Sequence, residues 1–331
     1  MLLGVNKRVI VVGHTGQDGS LLMIDLLNQG YDVVGVGRSS QFIPTSFSWE
    51  YCCDITNAES VRSLVKTFQP NEIYYLAAYH NSSEAFGSQS SLRQQFESAE
   101  AIHVTGLVNF LVAIVSESPT ARLFYASSSL VFSGENGYIQ NELTPLTPQG
   151  FYGITKAQGM WLCREFWTKY DVFASVGILY NHESHLRAPS FLSAKIIQAA
   201  ISISNGSNEK LEVGNLSSEV DWGYAKDYIL AFQKILAAKS SSDFIVATGE
   251  AHAVKEFIEI VFNYLGLDFE SHVIENNKIL ARKSPVKIGD SKKLKMATGW
   301  HPSLSFQDFV VQLVNDHLAM NCKMMPQLNN D

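Results

Sequence analysis

Short apolar runs alternate with amphipathic stretches along the first 250 residues of the chain. Residues 9–12 form an unbroken β-branched run, which is typical of a strand buried on both faces of a parallel sheet. From Leu21 to Leu27 apolar residues recur at helical spacing, and Gly30 is placed to end that helix. The same reasoning predicts further strands at residues 31–36, 72–78, 122–126 and 172–179, and helices at residues 61–68, at residues 101–115 and after Gly153.

Strands that alternate with helices across short connections predict an α/β fold, a Rossmann-type doubly wound parallel sheet with right-handed crossovers. Beyond Asn181 the pattern becomes irregular, and 331 residues exceed one ordinary core. We therefore expect a smaller, interleaved C-terminal domain that binds the substrate. The predicted division gives residues 1–180 and about 221–250 to the Rossmann domain, and residues 181–220 and about 251–320 to the second domain.

Composition narrows the classes of partner. The chain is 46% hydrophobic and 17% charged, which is typical of a packed globular protein. Its net charge is -7 and it has no basic run, so a nucleic-acid partner is disfavoured. No stretch of about 20 apolar residues lacks a polar interruption and the start lacks a signal peptide's apolar stretch, so we expect no membrane span. The four cysteines have neither CxxC nor zinc-type spacing, which indicates reduced thiols, no metal site and a cytoplasmic location.

The loop after the first predicted strand carries glycines at 13, 16 and 19. Between a strand and a helix, this spacing permits a tight turn and a close approach of backbone to a pyrophosphate, with Thr15, Gln17 and Asp18 beside it. The alternative is a turn with a structural role only. We therefore predict that this loop binds a dinucleotide.

The end of the second predicted strand bears on the choice of cofactor. It reads Gly37-Arg38-Ser39-Ser40 and lacks the acidic residue that would bind the ribose hydroxyls of NAD. A guanidinium with two hydroxyls suits a 2′-phosphate, so NADP(H) is favoured over NAD(H), although Arg38 could also be a solvated loop residue. Asp54 is placed to meet the adenine edge or to cap the following helix.

Tyr152-Gly-Ile-Thr-Lys156 is the sharpest chemical feature. Residues four apart share one face of a helix, so the ammonium is expected near the phenol, where together with the positive nicotinamide ring it would favour phenolate and lower the tyrosine pKa. Such a phenolate can take a proton from a sugar hydroxyl while a hydride leaves to the cofactor. Ser128, in a serine cluster at the end of the preceding strand, supplies a hydroxyl partner. The alternative is an exposed tyrosine and a solvated lysine.

The chain resembles extended short-chain dehydrogenases/reductases, and within them the GDP-mannose 4,6-dehydratases. The segments that carry the resemblance are residues 13–20, 72–78, 152–156, 177–184 (Gly-Ile-Leu-Tyr-Asn-His-Glu-Ser), 221–228 (Asp-Trp-Gly-Tyr-Ala-Lys-Asp-Tyr) and 244–250. The resemblance implies that Ile55, Leu76, Ala77, Ala78, Leu179 and His182 line the cofactor site. It also implies a GDP-sugar substrate held by Asn181, Arg187, Lys195 and Arg282, and a homodimer, or a homotetramer.

Departures from that family are equally informative. Leu130 stands where the dehydratases have a glutamate, which is implied to shuttle the proton when water is lost across carbons 5 and 6. Val220, Ala194 and Ser39 replace arginines, and His103 replaces an Asn or Asp. We therefore predict hydride transfer at carbon 4 of a GDP-hexose or GDP-heptose, as in an epimerase, dehydrogenase or 4-keto-reductase. The alternatives are a true dehydratase with a relocated acid, such as Glu135, and a non-catalytic dinucleotide-binding protein.

Overall fold

A computed structural model describes residues 7–37, 48–79, 91–134, 139–276, 278 and 285–324. The strands are β1 Arg8–Val12, β2 Asp32–Gly37, β3 Ser48–Cys52, β4 Glu72–Tyr75, β5 Arg122–Ser128, β6 Ile139–Gln140, β7 Ala174–Leu179, β8 Asn181–Glu183, β9 Leu211–Val213, β10 Glu219–Val220, β11 Trp222–Tyr224, β12 Asp243–Val246, β13 His252–Ala253, β14 Val273–Glu275 and β15 Ile288–Gly289. The helices are α1 Gln17–Asn28, α2 Ala58–Phe68, α3 Leu92–Glu100, α4 Gly106–Glu117, α5 Gly150–Tyr170, α6 Leu192–Ser204, α7 Ala225–Leu236, α8 Val254–Tyr264, α9 Phe269–His272, α10 Lys292–Thr298 and α11 Phe306–Met324, with a π-helical turn at Ala101–Thr105 between α3 and α4.

Seven parallel strands form the central sheet in the order β12-β7-β5-β4-β1-β2-β3. The chain order reverses between β1 and β4, where Ile10 pairs with both Val34 and Ile73. A reversal of this kind leaves a crevice at the carboxyl ends of the strands, which is where open α/β sheets bind ligands. The predicted Rossmann-type doubly wound sheet is confirmed.

Alternation along the strands divides the core between the two faces of the sheet. Ile10 and Val12 face one side, where α2, α4 and α5 cover them, and Val9 and Val11 face the other, where α1 and α7 do so. Because both faces are covered, residues 9–12 of β1 are buried, as their unbroken apolar run predicts.

A third cluster of apolar side chains packs away from the sheet, between α6, α8 and α11, with Trp222 and Phe257 at its centre. These helices lie in the ranges predicted for the second domain, and β12 returns to the sheet as expected. One segment behaves differently, because Leu294 and Trp300 pack into the core on the sheet and not into the third cluster. The exact division into domains remains a prediction.

Two elements in and beside the central sheet differ from the sequence prediction. β3 was not predicted, and the helix predicted at residues 101–115 begins earlier, at Leu92. The helical run Leu92–Glu117 contains an 18-residue window with a mean hydropathy of 1.6, which by length and composition could cross a membrane, although polar residues interrupt the run, as predicted from the sequence. Leu107, Phe110 and Ile114 of this run are fully buried against the sheet, as in a core helix.

Candidate active site

Three glycines shape the loop between β1 and α1. Gly13 has a φ of 87°, and a Cβ there would lie 2.7 Å from the Ala77 backbone nitrogen. A Cβ on Gly19 would lie 2.3 Å from the Gly13 oxygen, so both positions need glycine. Gly16 caps α1 without a side chain and lines the adjoining cavity with Gln17. The first turn of α1 therefore offers its amides to that cavity, and this donor set fits the pyrophosphate of a dinucleotide.

A cavity of about 1440 Å³ lies at the carboxyl ends of β1, β4, β5 and β7. Pockets for one small ligand are typically about 300–1,000 Å³, so this one has room for a dinucleotide and a second molecule. The predicted site residues that line it are Gly13, Thr15, Gly16, Gln17, Asp18, Gly19, Asp54, Ile55, Leu76, Ala77, Ala78, Ser128, Tyr152, Lys156, Leu179, Asn181, His182 and Arg187.

The remaining predicted residues are placed differently. Lys195 is half-buried on α6, and it is absent from the part of the cavity wall that the described residues form. Arg38, Ser39 and Arg282 lie outside the described residues.

Ser128, Tyr152 and Lys156 meet where α5 packs against the end of β5. Ser128 is the last residue of β5, and its hydroxyl hydrogen bonds the Tyr152 hydroxyl. The Lys156 Nζ donates to the Ala126 carbonyl at 2.7 Å and lies 5.7 Å from the centroid of the Tyr152 ring. Gly159 permits this close packing, because a Cβ there would lie 2.2 Å from the Tyr125 hydroxyl. The three residues predicted to be catalytic are thus brought together at the cavity.

Burial, and not Lys156, has the largest effect on the pKa of Tyr152. It raises the pKa of Tyr152 to about 12, while the charge of Arg187 and the hydrogen bond from Ser128 act in the opposite direction. Burial also lowers the pKa of Lys156 to about 7, against the opposing charge of Asp18. The predicted lowering of the tyrosine pKa by Lys156 together with the positive nicotinamide ring concerns the protein with its cofactor bound, and it stays a prediction. The cation that acts on the phenol is Arg187.

A polar bridge joins the start of α1 to β8 across the cavity. Asp18 and His182 form an ion pair, with 2.9 Å between Oδ2 and Nε2, and the His182 ring stacks on Tyr228 at 4.4 Å. Gln17 donates to the His182 carbonyl at 3.0 Å and accepts from the Ser184 hydroxyl at 3.0 Å. These contacts fix the segment that carries Asn181 relative to the loop predicted to bind the cofactor.

The Arg187 guanidinium is held against the wall of the cavity. Its Nε lies 3.1 Å from a Glu183 carboxylate oxygen, and the guanidinium stacks 3.9 Å above the Phe191 ring. Glu183 is itself buried and accepts from the Ser193 hydroxyl at 2.7 Å. A planar cation fixed on two sides suits a phosphate or diphosphate oxygen pair.

Asp54 does not cap the helix that follows it. Its carboxylate accepts from the Thr56 hydroxyl at 2.7 Å and from the Thr56 amide at 2.9 Å, and these bonds lower the pKa of Asp54. The N-cap of α2 is Asn57, which accepts from the Ser60 amide. Asp54 lines the cavity near the end of β3, so of the two sequence interpretations the ligand-facing one remains.

Several residues of the cavity wall were missed in the sequence. Asn215, Glu219 and Lys287 also line the cavity, and no pattern in the chain marks them. Glu219 lies on β10, outside the seven-stranded sheet. Asp221 fixes this part of the wall, because its buried carboxylate accepts from the amides of Thr248, Gly249 and Gly289.

Comparisons with known proteins identify the family of the chain. Residues 10–313 match the family described as GDP-mannose 4,6 dehydratase. GDP-mannose 4,6 dehydratase 2 of Arabidopsis thaliana is 33% identical over 338 residues, which cover 95% of this chain and 87% of that protein. The Homo sapiens GDP-mannose 4,6 dehydratase is 30% identical over 355 residues, with 92% and 90% covered.

Solved structures show the same fold. The UDP-glucose 4-epimerase of Thermotoga maritima, crystallised with UDP-glucose, superposes with a TM-score of 0.81 at 19% identity and covers 95% of this chain and 99% of that one. The dTDP-glucose 4,6-dehydratase of Bacillus anthracis, in complex with NAD, superposes with a TM-score of 0.79 at 17% identity, with 95% and 97% covered.

The family match and the curated relatives, together with the Rossmann sheet, show an NAD(P)-dependent enzyme of the nucleotide-sugar epimerase/dehydratase class. The match over residues 10–313 and the identities to the curated dehydratases specify the branch. The chain belongs to the GDP-mannose 4,6-dehydratase family.

Proposed function

We propose that the chain transfers a hydride at carbon 4 of a GDP-hexose or GDP-heptose, using NADP(H), and stops short of dehydration. It would then act as an epimerase, a dehydrogenase or a 4-keto-reductase. One observation carries the proposal: Ser128, Tyr152 and Lys156 surround the same cavity as the dinucleotide loop, with Leu130 in its wall.

The chemistry follows from the position of the tyrosine. In the oxidising direction Tyr152 takes the proton of the 4-hydroxyl while the hydride leaves carbon 4, which becomes a ketone; in the reducing direction Tyr152 gives the proton back to the ketone oxygen. The nicotinamide supplies or accepts the hydride when it is bound. Ser128 hydrogen bonds the phenol, and Lys156 is anchored on the Ala126 carbonyl beneath it. With its pKa near 12, the phenol is protonated at neutral pH and suited to donate.

Loss of water needs a further acid/base, and the side chain of Leu130 has no proton to exchange. Most carboxylates in the described part of the cavity wall have other partners. Asp18 is paired with His182, Glu183 with Arg187, and Asp221 with three backbone amides. Asp54 is bound to Thr56 at the end predicted to hold adenine. These contacts support a reaction that retains the oxygen at carbon 6.

A true dehydratase with a relocated acid is the second candidate, because the family membership favours it. Glu135, the replacement considered from the sequence, lies outside the described residues. Glu219 on β10 is an exposed carboxylate in the cavity wall and is the described residue best suited to take that role.

The choice of NADP(H) over NAD(H) rests on the end of β2. This strand ends at Gly37, and no acidic side chain stands there to bind the ribose hydroxyls. Arg38 and Ser39 follow directly in the sequence and suit a 2′-phosphate. A 2′-phosphate specificity predicts tighter binding of NADPH than of NADH.

For the substrate, Asn181 and Arg187 are the proposed contacts to the nucleotide diphosphate, and both line the cavity. Arg282 and Lys195 complete the set implied by the family, although Lys195 would have to act from α6, behind the wall. The guanine base is proposed because the curated relatives are GDP-mannose dehydratases.

We also propose a cytoplasmic homodimer, or a homotetramer built from two dimers. Apolar side chains lie exposed on neighbouring helices, with Leu92 and Phe96 on α3, Val112 on α4, and Ile154 and Trp161 on α5. Ile154 and Trp161 are seven residues apart and share one face of α5. A second copy of the chain would cover this surface.

The first experiment incubates the purified protein with NADP(H) and GDP-mannose, followed by mass spectrometry of the sugar nucleotide. We expect no loss of water, and either no change of mass or the loss of two hydrogens. A product of unchanged mass with the opposite configuration at carbon 4 identifies an epimerase. Formation of a product lighter by one water instead supports the dehydratase, and Glu219→Gln then tests the relocated acid. If the mixture is inert, a GDP-heptose or a 4-keto sugar is the next substrate.

Leu130→Glu tests the reason for the missing dehydration. We expect this variant to form some product that has lost one water, because a carboxylate is restored where the dehydratases have one. Leu130→Gln is the matched control, since it has the same size as glutamate but cannot exchange the proton. Equal products from both variants would show that the identity of residue 130 does not decide the outcome.

A further inference from the structure

The helical run from Leu92 to Glu117 is interrupted by the π-helical turn Ala101–Thr105. The wider turn releases backbone carbonyls, and the Ile102 carbonyl accepts from the Tyr75 hydroxyl at 2.5 Å. Turns of this kind occur frequently at functional sites. Ile102 lines the active-site cavity, and His103 follows it inside the protein.

The His103 ring is fully buried, and one of its nitrogens accepts a hydrogen bond while the other donates one. Nε2 accepts from the Tyr79 backbone amide at 2.9 Å, so this nitrogen carries no proton. The proton must therefore sit on Nδ1, which lies 2.7 Å from the Thr155 hydroxyl and donates to it. The imidazole is neutral, because a proton on Nε2 would face the amide N–H and break that bond.

From Thr155 the chain of hydrogen bonds continues to the turn of α5 that carries the catalytic tyrosine. The Thr155 hydroxyl donates to the Phe151 carbonyl at 2.8 Å. The Tyr152 ring stands perpendicular to the His103 ring, with 5.2 Å between their centroids. On its other side, His103 holds the backbone that follows Leu76, Ala77 and Ala78, all of which line the cavity.

We propose that His103 is a positioning residue that holds Tyr152 and the cofactor-facing segment Leu76–Tyr79 in fixed positions relative to each other. Its two hydrogen bonds have separate tasks: the bond to Tyr79 holds the segment along the cofactor, and the bond to Thr155 orients the first turn of α5. The proposal rests on the proposed function, because it takes Tyr152 as the acid/base of a hydride transfer.

Three variants separate these tasks. His103→Leu removes both bonds, Thr155→Val removes only the bond toward Tyr152, and His103→Gln can keep both, with Oε1 as acceptor and Nε2 as donor. The measurements are the Kd of NADPH from its fluorescence, kcat and KM for the sugar nucleotide, and Tm as a check on folding.

For His103→Leu we expect a Kd for NADPH that is about tenfold weaker and a kcat at least about tenfold lower, since one buried hydrogen bond has this effect on an equilibrium constant. Thr155→Val should keep the Kd of wild type and lose kcat alone, with KM unchanged. His103→Gln should restore both quantities. A loss of stability alone cannot lower kcat without weakening NADPH binding in Thr155→Val and also leave both quantities intact in His103→Gln.

A folded His103→Leu variant with the wild-type Kd for NADPH overturns the proposal, and so does a Thr155→Val variant that weakens NADPH as much as His103→Leu does. If wild type turns over no sugar nucleotide, the proposed function fails. The NADPH affinities of the three variants still decide whether His103 holds the cofactor-facing segment, because they are measured without substrate.

Discussion

At the scale of single residues, burial sets the acid-base character of the active site. The same removal from water that raises the pKa of Tyr152 to about 12 lowers that of Lys156 to about 7. The lysine therefore titrates near neutrality, and its contribution to the phenol is weaker than its sequence spacing suggests. Arg187 supplies the opposing charge, so a residue assigned to the substrate diphosphate also acts on the catalytic group.

Replacing Tyr152 with Phe tests whether the site is catalytic. The ring and its packing against His103 are kept, and only the exchangeable proton is lost. We expect kcat to fall by about 10²–10⁴-fold, the usual contribution of general acid-base catalysis, with an unchanged Kd for NADPH. Steady-state kinetics and fluorescence titration give the two numbers. Turnover that survives intact would sink the assignment, and a wild type without turnover on any tested sugar nucleotide would favour the non-catalytic alternative.

At the scale of elements, the Asp18–His182 pair joins α1 to β8. Burial by itself would raise the pKa of Asp18 and lower that of His182, but their mutual charge and hydrogen bond outweigh burial, so Asp18 is lowered and His182 is raised. The Asp18 contribution to stability is present above its unfolded pKa of 3.8 and is lost as pH falls through its folded pKa. The His182 contribution is present below 6.5 and is lost as pH rises through its raised pKa. The pair therefore stabilises the fold most between these values.

Asp18→Asn should lower the free energy of unfolding by about 1–3 kcal/mol near pH 5.5, because it removes the charge that His182 is paired with. The loss should shrink toward pH 8.5, because the His182 imidazole loses its proton as pH rises through its raised pKa. Urea denaturation at both pH values measures it. Asp25→Asn is the control, since Asp25 lies on the same helix and bonds only the amides of Gln29 and Gln233 through its side chain in the described contacts. An equal loss at both pH values would contradict the ion-pair explanation.

At the scale of the whole molecule, the sheet and the third apolar cluster enclose a cavity that neither forms alone. Ser128 and Tyr152 come from the sheet side, and Trp222 and Val254 come from the third cluster. Outside the cavity, the exposed apolar side chains of α3, α4 and α5 form the surface proposed for a second copy. Trp161 is 53% exposed there, which is costly for an indole that no partner covers.

Trp161→Glu should shift the protein from dimer to monomer, because it places a charge in an apolar interface. Multi-angle light scattering after gel filtration measures the mass in solution. Met296→Glu is the matched control: Met296 is 88% exposed on α10, away from these helices, and its replacement should leave the assembly unchanged. A dimer that resists Trp161→Glu would place the interface elsewhere.

The sequence by itself determined the parts of this protein that depend on neighbours along the chain. A β-branched run, three glycines and an amphipathic helix specify β1, the loop and α1, because strand burial, backbone freedom and helix periodicity are local requirements. Tyr152 and Lys156 were found for the same reason, since one turn of helix fixes their separation. The doubly wound parallel class of the sheet followed from the alternation of elements and the handedness of their connections, whereas β3 and the strand order came from the structure.

Only the tertiary structure decided what depends on contacts between distant segments. Lys287 lines the cavity although it lies about 130 residues beyond Lys156 and has no local signal. Lys195, which the resemblance implies as a substrate contact, is not among the described residues that line it. The acidity of Tyr152 depends on how completely the fold excludes water and on where Arg187 ends up, which no spacing reveals. The positioning role proposed for His103 likewise depends on Tyr79 and Thr155, which folding brings to the two nitrogens of its ring.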